Sequence, residues 1–93
     1  MRKPTTPGEI LNEEFLKPME LTQRELAEHI GMETKAINRL VNGGNLSPLM
    51  AVKLARAFKT STSFWLNLQV KVDAYEAECL LKKEKINIKP IAI

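Results

Sequence analysis

The chain has a single cysteine among its 93 residues, so no disulfide can close within it and no cysteine-rich metal site can form. Cys79 therefore reads as a small apolar residue, buried or half-buried. Histidine is equally scarce. His29 stands alone, with no second His or Cys to share an ion, so it reads as a surface or boundary residue and no metal is expected. Long apolar runs are missing as well. No stretch approaches the roughly 18 residues of a membrane span, and the first residues do not form a charged-then-apolar leader. A cytoplasmic location with no membrane partner is expected. Glycine occurs only four times, and the Gly43-Gly44 pair follows a helix pattern as a stop, not as a phosphate cradle. No Ser/His/Asp set and no carboxylate pair suggests a cleft. The expectation is no catalytic residue, no cofactor and no enzyme.

Acids are absent from a long central stretch. Between Thr34 and Val72 there is none, while Lys35, Arg39, Lys53, Arg56, Lys59 and Lys71 are present. Upstream the balance reverses: Glu9, Glu13, Glu14, Glu20, Glu25, Glu28 and Glu33 face only Lys17 and Arg24. The net charge of +3 is modest, but the polarity along the chain provides a cationic region suited to a phosphate backbone.

What the chain does have is the stretch from Thr22 to Gly43, TQRELAEHIGMETKAINRLVNG. Leu26 and Ile30 are four apart and Ile37 and Leu40 three apart, so each pair lies on one helical face. Ala27 is small where a second helix must pass. Gly31 falls between the two periodic runs, where a sharp helix end needs a positive φ. Met32 fills the corner. Two helices joined through such a turn make the helix-turn-helix unit that reads DNA. An ordinary αα-corner would show the periodicity without this whole set of constrained positions.

The remaining helices are signalled by their caps. Thr6-Pro7-Gly8-Glu9 reads as N-cap, first-turn proline and capping box, with Ile10, Leu11, Phe15 and Leu16 inward until Pro18 stops the helix. Thr22 and Glu25 repeat the device. Glu33 or Thr34 starts the third helix, which Asn42-Gly43-Gly44 ends. Ser47-Pro48 starts a fourth with Met50, Ala51, Leu54, Ala55 and Phe58 buried. Ser61 caps a fifth, from about Thr62 to Glu78. On it, Phe64, Trp65, Leu68, Val72 and Tyr75 present more large apolar groups than a small domain can cover. Part of this face is expected to be a homodimer surface, with Trp65 and Leu68 near its centre. The alternative is that the face folds back onto the first and fourth helices. The expected organisation is a flexible segment at 1–6, one domain at 7–78 and a tail at 79–93. The tail's Ile86, Ile88, Ile91 and Ile93 suggest an extended strand interrupted by Pro90, which either pairs with another chain or stays disordered.

With Ile37 and Leu40 inward, the outward residues of the third helix are Thr34, Lys35, Asn38 and Arg39, the candidate base-reading set. Arg39 and Lys35 can donate to guanine O6 and N7, Asn38 can meet an adenine edge or a phosphate, and Thr34 a thymine methyl or a phosphate. Candidate phosphate contacts are Thr22, Gln23, Asn42, Gly43 and Asn45, which position without reading sequence. Glu33 reads as an acid placed favourably at a helix N-terminus.

Residues 22–58 resemble Cro/C1-type (XRE) helix-turn-helix domains. The stretches PGEILNEEFLKP (7–18), INRLVNG (37–43) and LARAFKTSTSFWLNLQ (54–69) together resemble the HigA antitoxin family. The resemblance implies an all-α, five-helix, lambda-repressor-like domain with a short C-terminal extension. It also implies a dimeric antitoxin that neutralises a cognate RelE/HigB-like mRNA-cleaving toxin and represses its own operon at a palindromic operator in double-stranded DNA. A stand-alone XRE-family repressor without a toxin partner is the alternative. By position, the family's base-reading sites fall on Thr34, Lys35 and Arg39 and its phosphate-contacting glutamine on Gln23. Two departures are visible. Lys59 stands where relatives commonly end the helix with glycine, and Thr62 where they often have proline.

Overall fold

The computed structural model describes residues 2–92. Five helices appear in chain order, with no strand among the described residues: α1 (Pro7–Ile10), which continues as a π-helical segment (Leu11–Leu16), α2 (Gln23–Ile30), α3 (Thr34–Val41), α4 (Pro48–Phe58) and α5 (Thr62–Lys83). None is long and apolar enough to cross a membrane.

Local chemistry sets most boundaries. Thr6 is the N-cap of α1: it is buried, its Oγ1 accepts from the Glu9 N–H, and its hydroxyl donates to the Glu9 carboxylate. It belongs to the packed domain and not to a flexible leader. Thr22 and Glu25 form a complete reciprocal box, each side chain meeting the other's backbone N–H at 3.0 Å. Ser47 and Ser61 cap α4 and α5. Gly31, at φ 68°, ends α2, and the Met32 N–H returns to the Ala27 carbonyl. Lys59 closes α4 at φ 55° without being glycine.

The first helix departs from simple α periodicity. After Ile10 it widens, and the Lys17 N–H reaches back five residues to the Asn12 carbonyl. The wider turn lets Leu11 and Leu16, five apart, both enter the core. The chain then turns at Glu20, φ 52°, into α2.

The core gathers Leu11, Leu26, Ile37, Leu40, Leu54 and Trp65, all essentially inaccessible. α2 packs on α3 and α4, α1 leans on α3, and α4 lies along α5. Gly8 makes the α1–α3 approach possible. A Cβ there would lie 1.8 Å from the Leu40 carbonyl oxygen.

Helix α5 continues five residues past the expected end at Glu78, to Lys83, and Lys85 at φ 56° turns the chain out of it. The extents of 53 × 26 × 22 Å and the radius of gyration of 16.1 Å mark an elongated molecule, since a packed chain of this length would have about 12 Å. The excess is the second half of α5 and the residues after it, which are nearly all exposed. Residues 84–92 form neither helix nor strand; Ile88 and Ile91 are 75% and 89% exposed. Ile93 lies outside the described residues.

Candidate nucleic-acid interface

Helix α3 buries Ile37 and Leu40 and exposes Thr34, Lys35, Asn38 and Arg39, so the four expected readers share one outward face. The ion pairs among the described residues are Lys17–Glu13 at 2.9 Å and Arg24–Glu28 at 3.2 Å. Lys35 and Arg39 make neither, so their charges remain available. Glu33 is the N-cap of α3 with no side-chain cap bond, a position where its charge suits the helix dipole.

A chain of amides crosses this face. Asn42 Nδ2 donates to the Asn38 carbonyl at 3.0 Å and to Asn38 Oδ1 at 3.2 Å. Asn38 Nδ2 donates to Gln23 Oε1 at 3.2 Å. With its oxygen occupied, Gln23 presents its Nε2 hydrogens outward from the start of α2. In that first turn the Glu25 N–H goes to Thr22 Oγ1, which leaves the backbone N–H groups of Gln23 and Arg24 without an intrahelical acceptor. The Thr22 hydroxyl oxygen accepts from the Glu25 N–H, and its hydrogen faces the Glu25 carboxylate.

The α3–α4 loop divides the remaining candidates. Asn42 turns its side-chain nitrogen back onto Asn38. The backbone N–H groups of Asn42, Gly43 and Gly44 go to Asn38, Leu40 and Arg39 carbonyls. The close approach of this loop to a phosphate backbone, expected for Asn42 and Gly43, therefore has no help from these N–H groups, which the helix end consumes. Gly43 contributes its φ of 97° and an open flank instead. Asn45 differs: its Oδ1 accepts from Gln69 Nε2 at 3.2 Å, which turns its own Nδ2 to solvent.

The α5 face needs correction. Trp65, expected at the centre of a dimer surface, is 0% exposed. Its indole N–H donates to Thr60 Oγ1 at 2.7 Å, and its ring lies 5.3 Å from Phe15, 6.5 Å from Phe58 and 5.2 Å from Phe64. Val72 is also buried, and Leu68 packs half-buried on the core. An indole this large fills the junction of α1, α4 and α5 that smaller side chains would leave hollow. Phe64 and Tyr75 retain exposure. Val70, 58% exposed, begins a second stripe with Ala74, Ala77 and Leu81 that large-residue spacing does not reveal. Cys79, expected buried or half-buried, is exposed beside Tyr75, because the core ends before this part of α5. The hydrogen bond between them holds the Tyr75 pKa above its usual value.

Gln69 is absent from the sequence-based candidates. It is a buried polar residue that reaches the interface loop through hydrogen bonds, and only its place at an inward register of α5 hints at it in the sequence.

Comparison with known proteins agrees with this arrangement. The helix-turn-helix family HTH_3 matches residues 13–65. Antitoxin HigA-1 of Vibrio cholerae is 38% identical over 92 residues, covering 99% of this chain and 88% of that protein. The HTH-type transcriptional regulator YbaQ of Escherichia coli is 46% identical over 78 residues, covering 83% and 69%. The structure of Pseudomonas aeruginosa antitoxin HigA with the higBA promoter superposes with a TM-score of 0.88 at 33% identity, over 96% of this chain and 99% of that one. The chain is therefore a member of the HigA family of antitoxins, built on a Cro/C1-type helix-turn-helix DNA-binding domain.

Proposed function

We propose that this protein represses its own operon by binding a palindromic operator in double-stranded DNA as a homodimer, and that it neutralises a cognate RelE/HigB-like mRNA-cleaving toxin in the cytoplasm. The observation that carries the DNA half is the outward face of α3. Two unpaired cations, Lys35 and Arg39, are flanked by amide donors whose oxygens are already held, Gln23 on one side and Asn45 on the other. Arg39 and Lys35 read guanine edges and Thr34 reads a methyl or phosphate. Gln23, with Thr22 and the free first-turn N–H groups, holds one phosphate, and Asn45 another. Asn38 acts mainly as a strut, since both ends of its amide are engaged.

Two-fold pairing would set two α3 helices about 34 Å apart, one turn of duplex. The exposed Phe64 and Val70 and the half-buried Tyr75 on α5 support a second copy on that helix, with Leu68 and Val72 alongside. The toxin half rests on family membership. YbaQ, named only as a regulator, keeps a stand-alone repressor as the second reading.

The test has two arms. Fluorescence anisotropy with the chain's own promoter against a scrambled duplex should give tighter binding to the promoter, weakening steeply with salt. Equal affinity for both duplexes would reject operator recognition. Co-expression with the neighbouring genes should yield a stable complex that abolishes mRNA cleavage by the partner; no such partner leaves the stand-alone repressor.

A further inference from the structure

One polar residue supports the DNA face without ever reaching DNA. Gln69 lies on α5, is 7% exposed, and has every hydrogen-bonding group engaged. Its Oε1 accepts from the Leu46 N–H at 2.7 Å. Its Nε2 donates to Asn45 Oδ1 at 3.2 Å and to Asp73 Oδ1 at 2.9 Å. The orientation of this amide is chemically forced. A backbone N–H demands its oxygen, and a carboxylate demands one of its hydrogens. The other hydrogen can then only point at Asn45, and it can only meet an acceptor. Asn45 is therefore held oxygen-inward and nitrogen-outward.

We infer that Gln69 is a positioning residue for DNA binding: it fixes the polarity of Asn45 so that a hydrogen-bond donor, never an acceptor, faces the phosphate backbone. The inference rests on the reading of Asn45 as a phosphate contact. It extends the interface into α5, the helix proposed to pair two copies, so the loop that touches DNA is keyed to the dimerising element through one buried side chain. Outward polarity matters because an amide oxygen and a phosphate oxygen repel, whereas the amide nitrogen donates. The second donor arm, to Asp73, keeps Gln69 from rotating away when the loop moves.

The discriminating variant is Gln69→Glu with Asp73→Asn. It keeps an acceptor for the Leu46 N–H, restores a donor–acceptor pair with residue 73 and leaves the net charge unchanged. The introduced carboxylate has no hydrogen to give, so Asn45 must reverse and turn its oxygen outward. The purified full-length proteins are compared by anisotropy on the promoter and on a scrambled duplex over a salt series, with thermal unfolding alongside. The expected result is a several-fold loss on both duplexes alike, with the discrimination ratio intact. The slope of log affinity against log salt should stay as in wild type, because a neutral amide neutralises no phosphate charge. Asn45→Ala should likewise weaken both duplexes, and adding it to the double variant should cause no further loss. A merely structural role would lower the melting temperature and leave the Asn45→Ala loss intact in the double-variant background. Binding equal to wild type in the double variant, or a further loss on adding Asn45→Ala, overturns the assignment of Gln69 alone. Wild-type protein that binds neither duplex overturns the DNA reading with it.

Discussion

Asn38 and Gln23, fifteen residues apart in sequence, meet across the helix-turn-helix corner through a 3.2 Å hydrogen bond from the Asn38 amide to Gln23 Oε1. The bond fixes which end of Gln23 faces outward and joins the reading helix to the phosphate-holding one. Asn38→Ala should therefore weaken binding to every duplex by about 1 kcal/mol, the net worth of one such bond, without changing base preference. A binding series over single-base operator variants checks this. Lost discrimination at one position would show instead that Asn38 reads a base.

Arg39 should behave in the opposite way. Its guanidinium makes no ion pair within the chain and stands one turn beyond Lys35 on the open side of α3. Arg39→Ala should cost about 1–3 kcal/mol on the operator and relax preference at one base pair. Gln23→Ala should weaken operator and scrambled duplex similarly. If Arg39→Ala left discrimination intact in gel shifts, the groove assignment would fail.

Position 8 sets where α3 sits. A methyl group on Gly8 would press to 1.8 Å from the Leu40 carbonyl oxygen and 2.9 Å from the Val41 Cα, both backbone atoms that no rotamer change can move. Gly8→Ala must push α1 off α3, and overpacking of this kind costs about 3 kcal/mol. Chemical denaturation should show that loss. DNA binding should fall along with it because the reading helix loses its brace.

The sequence exposes those parts of the molecule that are decided within a few residues. Thr22 and Glu25 announce a helix start because their bonds close over three positions, and Gly31 announces the corner because its backbone demands it. Thr34, Lys35, Asn38 and Arg39 follow from Ile37 and Leu40 by helix geometry alone. What stays hidden depends on tertiary approach. Trp65 has the spacing of a surface stripe, yet only the meeting of Phe15, Phe58 and Thr60 around it shows that it is enclosed. The π-helical turn leaves no local signature in LNEEFL. The donors of Asn42 and Asn45 look alike in sequence. Their different partners, Asn38 for one and Gln69 for the other, separate a helix end from a candidate contact.

Lys59 carries local strain. It holds φ 55° and ψ 42°, a left-handed conformation that costs a residue with a Cβ about 1–2 kcal/mol. Glycine adopts it freely, though it loses more chain entropy on folding. Lys59→Gly should stabilise the domain by about 0.5–1 kcal/mol, raising the melting temperature by a few degrees. The side chain is exposed and outside the α3 face, so operator affinity should hold within about twofold. A lowered melting temperature would mean that Lys59 makes an interaction worth more than its backbone strain.

Glu25 links pH to the start of α2. Its carboxylate accepts the Thr22 backbone N–H at 3.0 Å, and that bond, with the neighbouring Thr22 hydroxyl, holds its pKa below the usual glutamate range. A depressed carboxylate pKa means that the folded chain releases this proton more readily than the unfolded chain. The capping contribution is therefore complete above the ordinary value of about 4.3, and it is lost as pH falls through the lower folded value. The Thr22 amide resonance should then titrate with Glu25, at lower pH than an unperturbed glutamate. Glu25→Gln should remove that titration while leaving the helix in place, because the glutamine oxygen still accepts the N–H. Were the Thr22 amide to shift at the ordinary glutamate pH, the reciprocal cap would not form in solution, and Gln23 beside it would lose the fixed first turn from which its amide points.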